Sequence, residues 1–156
     1  MNHFSNVGDM IHIFFMFHWK ISEVYGKLMN KIRKEGIIMN YLLVSPNFPT
    51  SQESFAKKLV EKGVRVIGIG SENYNDLTDG LKNSLTEYYK VNDLENYEEV
   101  LRGVAFLIYK HGVIDRVESN NEHWLTLDSL IREQFNIPGV KPKNLDFTKY
   151  KSKMKE

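Results

Sequence analysis

The chain has 156 residues, 21 Lys or Arg against 20 Asp or Glu, and no cysteine. That length fits one domain, and the lack of cysteine excludes disulfides, thiolate chemistry and Cys-type zinc sites while being compatible with a reducing cytoplasm. Charge is uneven along the chain: residues 39–140 carry 15 acidic and 10 basic side chains, whereas residues 141–156 carry six lysines against two acids. A lysine-rich end is more often a solvated segment than a nucleic-acid patch, so no nucleic-acid partner is expected.

Residues 1–38 read differently from the rest. IHIFFMFHW, residues 11–19, is apolar for nine residues, where a membrane span needs about 18 or more, so no membrane association is expected. Asp9 stands before it, no Lys or Arg precedes it and no small-residue cleavage site follows, which makes a poor signal peptide. Lys34, Glu35 and Gly36 can be encoded as AAGGAGG and two more bases, a purine-rich ribosome-binding sequence, and two isoleucine codons then lead to Met39. The expectation is that Met39 is the start and that residues 1–38 are translated leader. The alternative is an added amphipathic helix over residues 20–33.

From Met39 the pattern is regular. Residues 41–44 read as a strand, and SPNFPTSQES follows as a loop with two prolines, closed by Thr50 or Ser51 as N-cap. Phe55, Ala56, Leu59 and Val60 form the inner face of a first helix, which Gly63 ends. VRVIGI, residues 64–69, is a second strand; residues 70–79 are a polar loop with room for a short helical turn. LTEYYKV, residues 85–91, alternates more and therefore belongs nearer a sheet edge. Asp93 is expected to cap a helix reaching residues 100–102, and Gly103 to stop it.

Residues 104–109, VAFLIY, then read as a short strand buried on both faces. Ser119, Asn120 or Asn121 can cap the helix that follows, with Leu125, Leu127, Leu130, Ile131 and Phe135 as its buried stripe. The order β, α, β, β, α, β, α with short links implies an α/β fold with a mostly parallel sheet. Past Phe135 the regularity ends: Ile137, Pro138 and Gly139 form a turn, residues 143–149 allow a short helical turn, and Ser152 looks like an N-cap for KMKE. The chain is therefore expected to be incomplete.

Motifs exclude several chemistries. A dinucleotide fold places GxGxxG after its first strand, where Ser45-Pro46-Asn47-Phe48-Pro49 stands here without glycine. Gly68-Ile69-Gly70 lacks the third glycine and reads as tight-turn geometry. A Walker loop and a strand-end aspartate for phosphotransfer are both missing. His111, Asp115 and Glu118 fall in one segment, but their spacing matches no established ligand motif, so no metal is expected there. Glu118 stands at a strand end beside a helix start. There it can accept from a substrate ammonium or hydroxyl, or simply complement its own helix dipole.

KHGVIDRVESNNEHW, residues 110–124, is similar to the strand, polar loop and glutamate-asparagine helix start of the pre-ATP-grasp domain found in biotin carboxylase, carbamoyl-phosphate synthase and related carboxylate-amine ligases. IPGVKPKNLDFTKYKSK, residues 137–153, resembles the exit loop of that family, where a glycine and a lysine precede a short helix and Ser/Asp-Lys follows ten residues later, as Lys143 and Lys153 do. The resemblance implies a Rossmann-like pre-ATP-grasp domain over residues 39–140, then a linker and the beginning of an ATP-grasp domain over residues 141–156. It implies an ATP-dependent ligase working through an acyl phosphate, with ATP and Mg2+ bound by the full-length parent and this fragment catalytically silent.

By the same resemblance, Glu118, Asn120, Ser45, Asn47 and Phe48 face a small-molecule carboxylate or amine substrate, and Lys153 helps bind ATP. Ser152 departs from the aspartate that relatives often carry there. A cytoplasmic protein partnered by the missing ATP-grasp domain is expected, and homo-oligomerisation is left open. YLLVSPNFP also resembles the opening of two-domain GT-B glycosyltransferases, although TSQES follows where those carry a glycine-rich loop. A free-standing α/β binding module is the third reading.

Overall fold

The computed structural model describes Gly36 and residues 38–145; most of the suspected leader and Lys153 lie outside these residues. The chain divides into two units between Ile38 and Met39, and every described helix and strand belongs to the second. Four parallel strands form its sheet: β1 (Asn40–Val44), β2 (Arg65–Gly70), β3 (Leu85–Lys90) and β4 (Arg116–Glu118), in the order β3-β2-β1-β4. Helices α1 (Ser51–Glu61), α2 (Asp79–Ser84), α3 (Tyr97–His111) and α4 (Leu125–Gln134) flank it. The protein thus has an α/β, Rossmann-like architecture with an all-parallel sheet.

Burial on both faces explains the apolar strands. All five residues of β1 are buried. Leu42 and Val44 join Ile67, Ile69, Val104, Leu107, Val117 and Ile131 in one core under α3 and α4. Alternate residues point the other way, where Tyr41 meets Phe55 of α1 edge-on at 5.6 Å between ring centroids. In α1, Ala56 is fully buried but Val60, expected on the inner face, is 43% exposed. Gly63 ends the helix with φ near +78°, as expected of a C-terminal glycine. β3 lies at the edge, in line with its alternating sequence, and a short 3-10 turn (Tyr74–Asp76) occupies the polar loop before it.

One expected element is wrong. Residues 104–109 are not a strand but the middle of α3, which runs 15 residues from the Asn96 cap to Gly112. Val100, Gly103, Val104 and Leu107 form its buried face, the i, i+3, i+4, i+7 spacing of an amphipathic helix. Gly103 does not stop the helix. It lets α3 approach the sheet, since a Cβ there would sit 2.8 Å from the Tyr89 ring and 3.0 Å from Ile69 Cδ1. The expected cap Asp93 instead accepts from the Glu95 amide in the preceding turn, while Asn96 accepts from Glu99 N.

The fourth strand is the three-residue β4, which pairs with β1 through Tyr41–Arg116, Leu42–Val117 and Leu43–Glu118. Its entry is tied down at the opposite end of β1: Asn40 Nδ2 donates to the carbonyls of His111 and Val113, both at 2.9 Å, and Asn40 N donates to Asp115 Oδ2. The bond to His111 satisfies a carbonyl at the end of α3 that the helix itself leaves open. Residues 142–145 form a helical turn.

Candidate functional site

Sheet order defines one topological switch point, between β1 and β4. From β1 the chain proceeds outward through β2 to β3, then returns to add β4 on the other side of β1. Loops leaving β1 and β4 therefore diverge, and in open parallel sheets such a switch point is where ligands bind, at the carboxyl ends of the strands. Ser45 to Phe48 leave β1 there, and Ser119 to Asn121 leave β4. The fold therefore brings together the sequence-derived candidates Ser45, Asn47, Phe48, Glu118 and Asn120 at one end of two adjacent strands.

Each loop is fixed differently. Ser45 is buried with φ near +51°, donates its amide to Ile69 O at 2.8 Å and accepts from Phe48 N at 3.1 Å. That turn leaves Phe48 61% exposed and Asn47 half-buried. At the start of α1, Thr50 takes the cap position without its side chain bonding an amide. Such a helix end can receive an anionic group.

Across the crevice, Asn120 adopts φ near +52°, a left-handed geometry that Asn tolerates better than most residues. Its side chain donates to Gln52 Oε1 at 2.9 Å, and Gln52 Nε2 donates to the Ser119 carbonyl. Gln52 is fully buried in the first turn of α1, so one amide group ties the loop after β4 to the start of α1. Asn121 accepts from His123 N and opens the 3-10 turn (Glu122–Trp124) that leads into α4.

Behind Glu118 lies a buried polar cluster. Ser119 donates its amide at 3.0 Å and its hydroxyl at 2.7 Å to Asp128 Oδ2. Arg132 Nη2 donates to Val117 O at 2.6 Å, pairs with Glu118 Oε2 at 3.0 Å and stands 4.0 Å from Asp128 Oδ2. Burial pushes the Asp128 carboxyl up to about 6; the Ser119 bonds and Arg132 hold it down from going further, and Glu118 adds to the rise. Asp128 Oδ1 and Arg132 Nε are buried without a hydrogen-bond partner among the described residues. Gly139, at φ near +136°, makes room for the Arg132 stem, because a Cβ there would lie 2.7 Å from Arg132 Cδ.

Glu118 is thus engaged by the body of α4, not by the amides that open it, and its side chain remains 38% exposed. The cluster holds two carboxylates for one guanidinium, leaving acceptor capacity at the crevice. His111, Asp115 and Glu118 go to separate partners: Glu87, Asn40 N and Arg132. Among the described residues, no group of three or more acidic or histidine side chains is placed to hold a metal ion, and no helix is long and apolar enough to cross a membrane.

Gln52, Asp128 and Arg132 were not singled out from sequence. Asp128 and Arg132 at i, i+4 look like an ordinary exposed helix pair. The available hint was an arginine and an aspartate both falling next to the buried stripe positions Leu127 and Ile131.

No family model matches the chain, and no curated protein matches it. Similar solved structures include the L-amino acid ligase from Bacillus licheniformis, at TM-score 0.48 and 15% identity, covering 66% of this chain and 25% of that one. The Cj0485 dehydrogenase is similar at TM-score 0.42 and 21% identity, covering 51% of this chain and 31% of the other. The chain therefore spans less than a third of the length of either protein.

Proposed function

We propose that residues 39–140 form the substrate-side domain of an ATP-dependent carboxylate-amine ligase. The observation that carries this reading is the convergence at the switch point: the loop from Ser45 to Phe48 and the loop from Glu118 to Asn120 leave neighbouring strands and are joined through Gln52. The polar loop after β1 replaces a dinucleotide fingerprint, and the segments around Glu118 and Lys143 resemble the pre-ATP-grasp family. In this reading Asn47, Asn120 and the uncapped start of α1 bind a carboxylate, Phe48 covers it, and Glu118 accepts from an ammonium or hydroxyl.

ATP and Mg2+ would activate the carboxylate as an acyl phosphate, which an amine then attacks with release of phosphate. The described residues supply no cluster that fits them, and Lys153 lies outside those residues. The role left to this unit is to bind and orient. The coding sequence past the Glu156 codon tests the assignment. The reading expects roughly 150 to 250 further residues with a glycine-rich hairpin and late Glu/Asn ligands, and phosphate release from ATP by that longer product when carboxylate and amine are both supplied. An immediate stop codon, together with a stable ligand-binding product, contradicts it.

A further inference from the structure

We infer that Asp128 is a positioning residue for the crevice: it anchors Ser119 and competes with Glu118 for the single guanidinium of Arg132, so that its protonation tightens the hold of Arg132 on Glu118. The inference deepens the reading of the switch point as a ligand site and rests on it for its functional meaning.

Geometry makes the competition electrostatic. Arg132 cannot swing away, since its stem passes against Gly139, Nη1 donates to Val140 O at 3.3 Å and Nη2 to Val117 O at 2.6 Å. Glu118 contacts Nη2 at 3.0 Å, while Asp128 stands 4.0 Å from it, beyond hydrogen-bond reach, and acts on it through charge alone. Asp128 Oδ2 already accepts twice from Ser119, and its Oδ1 has no partner. Among the described residues, the charged groups that act on Asp128 are Glu118 from β4 and Arg132 from its own helix; Lys141 is bonded instead to the Arg132 and Ile137 carbonyls past the end of α4. From α1 the neutral Gln52 reaches the Ser119 carbonyl.

Because burial sets the Asp128 carboxyl at about 6, the exchange falls in a mildly acidic range. Above it, two anions share one cation, and the half-exposed Glu118 keeps acceptor capacity for a ligand ammonium or hydroxyl. Below it, Asp128 is neutral and Arg132 serves Glu118 alone. A donor ligand at Glu118 is then bound less tightly in acid than at neutral pH.

Carboxyl and amide NMR titrations of the whole chain from about pH 4.5 to about pH 8, in wild type, Asp128→Asn and Glu118→Gln, test this without any ligand. The expected result is a wild-type inflection near pH 6 at three places together: the Asp128 carboxyl, the Glu118 carboxyl and the Ser119 amide. Asp128→Asn removes it from the other two, and Glu118→Gln moves the Asp128 midpoint downward. Titration of Asp128 with no matching change at Glu118, or an unmoved midpoint in Glu118→Gln, overturns the inference. Glu118 is partly exposed, so its variant keeps the test open if Asp128→Asn does not fold. None of these signals depends on ligase activity, so they fail or hold independently of the proposed function.

Discussion

Arg132 is 4% exposed, and its charge is tolerable because two carboxylates and two carbonyls surround it. Removing one member of such a cluster leaves buried charge uncompensated, which costs more than the pair contributes over an apolar replacement. Arg132→Ala should therefore lower stability by about 3–5 kcal/mol in urea unfolding; a loss under 1 kcal/mol would mean that water reaches the cluster. Gln52→Ala, which strips partners from Ser119 O and Asn120 Nδ2, should cost about 1–3 kcal/mol and should sharpen and shift the Asn120 side-chain amide signals. Asp128 sets a pH dependence of defined sign. Its folded carboxyl sits at about 6 against 3.8 unexposed to the fold, so the native state holds the proton over a window in which the unfolded chain has lost it. The stability linked to that proton is full below the lower value and is lost as pH rises through the upper one, by roughly 3 kcal/mol at most. Unfolding free energies of wild type should decline across that window relative to Asp128→Asn; parallel curves would show that Asp128 titrates alike in both states.

Helix α3 shows how an element can be misjudged from its most apolar stretch. Residues 104–109 look uniformly buried, yet Val104 and Leu107 are fully enclosed while Phe106 is 44% and Tyr109 89% exposed. The helical signal was present over a longer window, in Val100, Gly103, Val104 and Leu107, and weighing it against a six-residue run would have favoured the helix. β4 was illegible for the opposite reason. Arg-Val-Glu carries no strand pattern, and only its pairing with β1 and the Asn40 bonds at its entry make it one. The first two strands were legible because sheet burial on both faces leaves an apolar run that no helix of that length would need, and β3 because its alternation fits an edge position. Gly103 offers a test of the corrected element. A helix interior normally prefers alanine to glycine by about 1 kcal/mol, but here a side chain would press on Tyr89, whose ring is itself packed against Phe106 at 5.6 Å. Gly103→Val should destabilise by about 1–3 kcal/mol in thermal or urea unfolding. A neutral or stabilising result would place α3 farther from the sheet than these contacts allow.

At the scale of the whole unit, topology converts scattered residues into a site. Ser45 and Glu118 are far apart in sequence, and their convergence follows from one fact, that the fourth strand joins the sheet beside the first. The sequence marked the loop after β1, where polar residues interrupt an apolar run, but reached the Glu118 segment from a supposed strand that is the middle of α3; it could not reveal the anchors, since the burial of Gln52, Asp128 and Arg132 depends on contacts spanning up to 68 positions along the chain. The most direct test of the crevice as a ligand site is amide shift mapping of the protein against a panel of small carboxylates, α-amino acids and primary amines. Saturable shifts confined to the residues from Ser45 to Phe48, Gln52 and the residues from Glu118 to Asn121, weakened by Asn120→Ala, are the predicted result. Saturable shifts centred elsewhere, or tight ATP binding to residues 39–145 themselves, would contradict the account.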